Sequence, residues 1–370
     1  MLSPDLKYLI ALDMVPKVGS ITAKKLIVYC GSAEAVFREA KTSLQKIKGI
    51  NDTAAHAIAG QQLLDKAAKE LEYIQKNNIT ALVYTDDSYP ARLKNCDDSP
   101  TFLFVKGFVD FNTAKVVSIV GTRNATSYGL ECCDRLVEQL SARGHNPIIV
   151  SGLAYGIDIC AHKAALKYKL NTVGVLGTGL NTIYPSQHRS VANQMLEQGA
   201  LVSDFTSQAK LDRNNFLKRN RIIAGLADAT IIVESGEKGG ALVTADIAMS
   251  YNRDVLAFPG RAGDSYSKGC NNLIKKNKAA LIESAEDLEY ALGWDEVRPT
   301  EQKQLQLFKD LGEQEGLIVS ILKESDVETI DSLCRRTEIP ISELAVLLLK
   351  LEFSGYIRSL PGKAYRLLRR

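Results

Sequence analysis

Residues 116–124 read Val116-Val117-Ser118-Ile119-Val120-Gly121-Thr122-Arg123-Asn124. Four branched aliphatic side chains in five positions suit a strand buried on both faces. The run then ends on a glycine, a hydroxyl and a cation. The same pattern recurs downstream. Further strands are expected at Ile148–Ser151, Thr172–Leu176, Leu201–Phe205, Ala229–Glu234, Val255–Phe258 and Ala280–Ile282. Each leads through a loop into a helical pattern, the last into a short helix over Ser284–Leu292. Repeated strand–helix units predict a mostly parallel sheet with helices on both faces. The handedness of the crossovers makes it an extended, Rossmann-like, doubly wound α/β sheet.

Working outward, residues 80–112 read as a connector with a short strand at Phe102–Val105. Residues 1–80 are helical by spacing, as at Leu63, Leu64, Ala67, Leu71 and Ile74. Two turns interrupt them, Val15-Pro16-Lys17-Val18-Gly19 and Ile47-Lys48-Gly49-Ile50-Asn51. Each resembles half of a helix-hairpin-helix pair with one glycine replaced, Lys17 in the first and Asn51 in the second. Weak DNA contact through these turns and a plain packing role both stay open. Residues 293–312 read as a polar linker. Beyond it, three helical patterns (Leu317–Leu322, Ile330–Thr337, Ile341–Leu351) precede a hairpin with a Pro361-Gly362 turn, which is winged-helix order. The expected domains are therefore 1–80, all helical; 81–292, the α/β core; and 313–370, a winged helix.

The 370 residues are 45% hydrophobic and 24% charged, as in an ordinary globular protein, with a net charge of +3. A nucleic-acid site must then come from local clustering. The seven cysteines form no Cys-x-x-Cys pair, which argues against a disulfide framework or structural zinc and for a reducing cytoplasm. No signal peptide is read at Met1–Leu12, and no apolar run is long enough to span a membrane.

In such a sheet, ligands bind beyond the carboxyl ends of the strands. Gly-rich loops fall there: Gly121-Thr122-Arg123, Ser151-Gly152, Gly177-Thr178-Gly179, and Ser235-Gly236 with Gly239-Gly240. Together they suggest backbone approaching a ligand with several phosphates. The Gly-x-Gly-x-x-Gly fingerprint and the Walker A loop are both missing, and no cofactor is expected. Between the fourth and fifth strands, Lys210, Arg213, Lys218, Arg219 and Arg221 face the single acid Asp212, with Phe216 among them. Cations neutralise phosphates and a ring stacks on any base, the two needs of a single-strand platform. His56, His145, His162 and His188 are scattered and compose no catalytic set. Asp158 reads as a first-turn acid favouring a helix dipole.

At these residues the chain resembles the DNA-processing protein A family (DprA, also called Smf). The carrying motifs are Ser118–Arg123, Ser151–His162, Gly177–Gly179 with Tyr184-Pro185, Asn215-Phe216 with Arg219–Gly225, Gly240–Ala245, and Pro259-Gly260 with Asn271, Leu273 and Ile274. The resemblance implies a non-catalytic protein that binds single-stranded DNA, hands it to the RecA recombinase during natural transformation, and dimerises through its Rossmann core. By motif, the DNA-binding set is Gly121, Thr122, Arg123, Ser151, Gly152, Arg213, Asn215, Phe216, Lys218, Arg219, Asn220, Arg221 and Gly240, with no catalytic residue and no metal. Leu211 and Leu217 replace prolines often seen in the family, so the loop is expected to be less rigid.

Two rivals are a nucleotide phosphoribohydrolase of the lysine-decarboxylase-like fold, loosely echoed by Glu234-Ser235-Gly236 with Gly239-Gly240, and a duplex-reading regulator. The third C-terminal helix, Ser342–Leu349, is mostly apolar and cation-poor, which favours protein contact or packing over base reading.

Overall fold

The computed structural model describes residues 3, 5–294, 312–325, 327–354, 356–360 and 363–367. They fall into two compact units, Met1–Arg298 and Pro299–Arg370. The linker expected at 293–312 and the turn at Pro361-Gly362 lie mostly outside the described residues.

Unit one opens with helices α1 (Leu6–Asp13), α2 (Ser20–Cys30), α3 (Ala33–Arg38), α4 (Lys41–Leu44), α5 (Asp52–Ala59) and α6 (Gln62–Lys76). The two repeated turns share a geometry. Lys17 and Gly49 both take left-handed φ values, +65° and +102°, and Gly19 and Asn51 both form extended caps of the next helix. Lys17 thus sits where glycine is preferred.

The core follows as β1 (Thr80–Val83), α7 (Ala91–Lys94), β2 (Phe102–Gly107), β3 (Val116–Val120), α8 (Ser127–Ala142), β4 (Ile148–Ser151), α9 (Ile157–Lys167), β5 (Thr172–Val175), α10 (Arg189–Met195), β6 (Gly199–Ser203), α11 (Arg213–Leu226), β7 (Ala229–Ile232), α12 (Gly240–Ser250), β8 (Asp254–Ala257), α13 (Lys268–Lys275), β9 (Ala280–Leu281) and α14 (Ala285–Leu292). The nine strands form one sheet in the order β1-β2-β6-β5-β4-β3-β7-β8-β9. It is parallel from β6 to β9. At the far edge, β2 pairs antiparallel with both β6 and β1. β1 falls where the sequence suggested only a connector.

Pleating sorts β3 between two cores. Val116 and Val120 face one cluster, with Ile222 and Ile223 of α11 and Ala241, Ala245 and Ala248 of α12. Val117 and Ile119 face the other, with Leu136 of α8 and Ala161 of α9. A third cluster joins α1 and α6, through Leu6, Ile10, Ala67 and Ile74, to Phe102, Phe104 and Leu201 of the sheet. The helical segment therefore shares a core with the sheet.

Unit two holds α15 (Glu313–Ser325), β10 (Val327–Thr329), α16 (Ile330–Thr337), α17 (Ile341–Phe353), β11 (Ile357–Leu360) and β12 (Ala364–Leu367). Its sheet order is β10-β12-β11, around a separate core of Ile318, Leu322, Leu333, Leu344 and Leu348. The β10 strand adds to the expected hairpin.

Candidate nucleic-acid interface

From β3 the chain runs outward through β4, β5 and β6, then returns through α11 to β7 on the other side of β3. The helix after β3, α8, packs on one face of the sheet, and the helix after β7, α12, on the other. The strand order reverses here, so the two loops diverge and leave a crevice at the carboxyl edge. A cleft of about 350 Å³ lies there. It is lined by Gly121, Thr122 and Arg123 after β3, by Asp158 of α9, by Arg213, Phe216, Arg219 and Asn220 of α11, by Lys238 and Gly239 before α12, and by Gly240 at its start.

Each wall has a local cause. The β3–α8 loop is held by Glu234, whose backbone carbonyl accepts from Thr122 N–H at 2.7 Å. The Glu234 carboxylate is 3% exposed and accepts from Thr126 N–H at 2.8 Å and Thr126 Oγ1–H at 2.7 Å. Thr126 in turn caps α8 by accepting from Gly129 N–H. Helix α11 starts at the Asp212 cap, whose carboxylate accepts from Asn214 N–H at 2.8 Å. Arg213 is the first helical residue and exposed. A cation at a helix N-terminus opposes the dipole, and an incoming anion relieves that conflict. Gly239 caps α12 without a side-chain hydrogen bond, and Gly239, Gly240 and Ala241 at that helix start line the cleft.

Phe216 is half-buried. Its ring packs against Tyr184, with centroids 5.4 Å apart, and over Gly177. A Cβ on Gly177 would lie 2.8 Å from Phe216 Cδ1. The glycine there makes room for the ring.

The same geometry places several of the expected contact residues away from the open rim. Arg219 is 3% exposed, and its guanidinium donates to the carbonyls of Gly152 and Val175. Burial lowers its pKa to about 10, against the pull of Asp158. It forms the cleft floor. Burial in turn raises the Asp158 carboxyl, and the Arg219 charge opposes that. Arg221 points away from the cleft and is tied to Asp204 at 2.5 Å and to the Asp98 carbonyl. The two arginines leave the helix on different sides, which a count of cations does not reveal. The Ser151 hydroxyl is fully buried and donates to the Ile119 carbonyl at 2.6 Å. Gly152 and Gly121 are small for packing: a Cβ on Gly152 would meet the Arg219 guanidinium at 2.5 Å, and one on Gly121 would collide with Ile157. Asn215 donates to the Lys210 carbonyl at 3.1 Å, and Lys218 is exposed on α11; neither lines the cleft.

The structure thus gathers Gly121, Thr122, Arg123, Arg213, Phe216, Arg219, Asn220 and Gly240, and separates out Ser151, Gly152, Asn215, Lys218 and Arg221. Sequence reasoning missed Lys238, whose only signal was a cation just before the Gly239-Gly240 pair. It gave Tyr184 no role beyond its motif and Asp158 none beyond the dipole. His162 is fully buried; its Nδ1 bonds to Thr172 Oγ1, and burial pulls its pKa down to about 3.

These features define a class: a doubly wound, Rossmann-like protein with a cation-rimmed cleft at the switch point of its sheet and a winged helix. Residues 80–293 match the family model described as DNA recombination-mediator protein A, and residues 306–363 the DprA winged helix domain. The chain is 30% identical to "Protein Smf" of Synechocystis over 99% of its own length and all of that protein. It is 36% identical to "DNA processing protein DprA" of Bacillus subtilis, over 65% of this chain and 80% of that one. DNA processing protein A of Streptococcus pneumoniae superposes with a TM-score of 0.62 at 29% identity, covering 77% of this chain and 97% of that one. The protein of the same name from Helicobacter pylori, whose structure is described in terms of its single-stranded DNA binding mode, gives 0.53 at 28% identity, covering 59% and 97%. The chain belongs to the DprA family of DNA-processing proteins. Among the described residues, no helix is long and apolar enough to cross a membrane.

Proposed function

We propose that this protein binds single-stranded DNA along the carboxyl edge of its sheet without transforming it. It protects incoming DNA in natural transformation, loads the RecA recombinase onto it, and works as a cytoplasmic homodimer joined through the Rossmann core. The helical segment 1–80, the core 81–292 and the winged helix 313–370 act as its three domains. The observation that carries the reading is the rim of exposed cations, Arg123, Arg213 and Lys238, with Lys218 exposed further along α11, beside the half-buried ring of Phe216. The arrangement fits a strand whose phosphates follow the rim while one base stacks on the ring. The Helicobacter pylori relative, described as binding single-stranded DNA, supports it. RecA loading, dimerisation and natural transformation are inferred from the family alone.

The hydrolase alternative would need Glu234 facing substrate. Both oxygens of its carboxylate are committed to Thr126 instead. The test is fluorescence anisotropy with a labelled dT oligomer over a potassium chloride series. Four neutralised phosphates predict a slope of log affinity on log salt near −3, at about −0.7 per contact. Arg123→Ala with Arg213→Ala should abolish binding at physiological salt. Retention like that of the unaltered protein, or release of free base from a nucleoside monophosphate, would refute the proposal.

A further inference from the structure

The basic segment enters α11 through a stretch, 204–212, that belongs to no helix or strand. Something must hold it, because the positions of Arg213 and Phe216 follow from where it ends. On the sheet side, Asn181 Nδ2–H donates to the Ser207 carbonyl at 2.9 Å. Gly179 lies so close that a Cβ there would sit 2.9 Å from Ser207 Cα. On the other side stands α6 of the helical segment. Glu70 of α6 is 2% exposed. One carboxylate oxygen accepts from Ser207 N–H at 2.7 Å and the other from Ser207 Oγ–H at 2.6 Å. Gln208 Nε2–H donates to the Lys66 carbonyl one turn earlier, at 3.2 Å. From this point a turn closes by Ala209 N–H to the Thr206 carbonyl, and Asn215 folds the Lys210 carbonyl back onto α11. The links run without a break from Glu70 to the residue before Phe216.

A buried carboxylate is an expensive way to join two packed elements. An apolar pair in its place would bind as well but would leave the register of 206–209 free to slip. Two charge-assisted bonds to both donors of a single serine fix that register. We propose that Glu70 is a positioning residue of the DNA site: the helical segment takes part in binding single-stranded DNA by bracing the basic segment, without itself touching the strand. This rests on the DNA-binding reading above.

The sign of the effect separates the brace from plain electrostatics. Glu70 is an acid near a cationic groove, so its removal by charge alone would strengthen binding of a polyanion. Glu70→Ala and Glu70→Gln would then act alike. The brace predicts that they differ. Alanine loses both bonds and weakens dT-oligomer affinity about tenfold, because only part of the energy of two charge-assisted hydrogen bonds is felt at the DNA site. Glutamine keeps both contacts, because its oxygen accepts from the Ser207 amide and its NH2 donates to the hydroxyl; affinity stays within about threefold. Ser207→Ala weakens binding in the same direction but by less, because its backbone N–H still donates to Glu70, and Glu70→Ala in that background removes the remaining bond. The variants are made in the full chain, with affinity, melting temperature and amide hydrogen exchange of 206–212 measured on each. The expected result is faster exchange in 206–212 with the strands of the sheet unchanged. Equal or tighter binding by Glu70→Ala, or a lower melting temperature with unchanged affinity, overturns the proposal. If Glu70→Ala does not fold, the affinity of Ser207→Ala decides between the brace and its absence. If the unaltered chain does not bind the oligomer, the DNA reading fails, and the exchange data on the variants still decide whether Glu70 holds the segment.

Discussion

Phe216 and His162 each turn a single environment into a measurable consequence. Phe216→Ala removes the stacking surface and should weaken dT-oligomer binding by about 1–3 kcal/mol, with the salt slope unchanged because no cation is lost. Gly177→Ala tests the same ring without altering it. Its Cβ would stand 2.8 Å from Phe216 Cδ1 and 3.2 Å from Phe216 Cα, so the first turn of α11 must shift. Weaker binding at an unchanged slope is expected; full affinity would show that the ring does not stack on a base. His162 is held deprotonated by burial, with its pKa lowered from 6.5 to about 3. Below pH 6.5 the unfolded chain takes up a proton that the folded chain refuses until about pH 3. Stability therefore falls with pH across that window, by about 1.4 kcal/mol per unit. Urea unfolding at pH 5 should give about 2 kcal/mol less from this group than at pH 7. In His162→Gln the difference between the two pH values should shrink by that amount. That Arg123, Arg213 and Phe216 share one cleft was legible at this scale, because a cation or a ring beside a glycine loop stands out by its type. Arg219 and Arg221 were not: only the side of α11 from which each departs tells a cleft floor from a brace to Asp204.

The strands carried the clearest signal among the elements. Val116–Val120 and Ile148–Ser151 stand where aliphatic periodicity put them, because a strand buried on both faces admits little else. β1 was missed since Thr80–Val83 is a short edge strand, exposed at one end, and such strands lack that continuous apolar run. The paired N-terminal turns were legible as a repeat, although Lys17 in left-handed conformation where glycine was expected hid half of it. The start of α8 was harder to read, because its anchor, Glu234, lies over a hundred residues away in sequence. That anchor yields an element-scale prediction. Thr126→Val removes the cap of α8 and leaves the Glu234 carboxylate short of a donor. Losing a cap costs about 1 kcal/mol and an unmet buried acceptor about 1–3 more. The melting temperature should fall, and dT-oligomer affinity with it, since the Arg123 loop is tied to the same carboxylate. A destabilised variant with undiminished affinity would separate the loop from its anchor.

At the scale of the whole molecule, the division into Met1–Arg298 and Pro299–Arg370 assigns the work. Each unit closes its own core, so unfolding should proceed in two transitions instead of one. The cationic cleft is complete within the first unit. In the second, α17 occupies the place of a recognition helix, yet it exposes Ile341, Val346, Leu349 and Phe353. A helix that reads duplex needs cations and hydrogen-bonding side chains on that surface. Apolar side chains cannot neutralise phosphate and gain nothing from a hydrated groove, so this surface of α17 does not suit base reading. A chain ending at Arg298 should therefore bind a dT oligomer within about threefold of the full chain, a difference under 1 kcal/mol, and with the same salt slope. The isolated 299–370 unit should bind neither single strand nor duplex at physiological salt. Anisotropy titrations of both fragments against the two DNA forms decide it. A tenfold loss on truncation, or duplex binding by the isolated unit, would move part of the DNA site into the winged helix and would leave the apolar surface of α17 without a physical rationale.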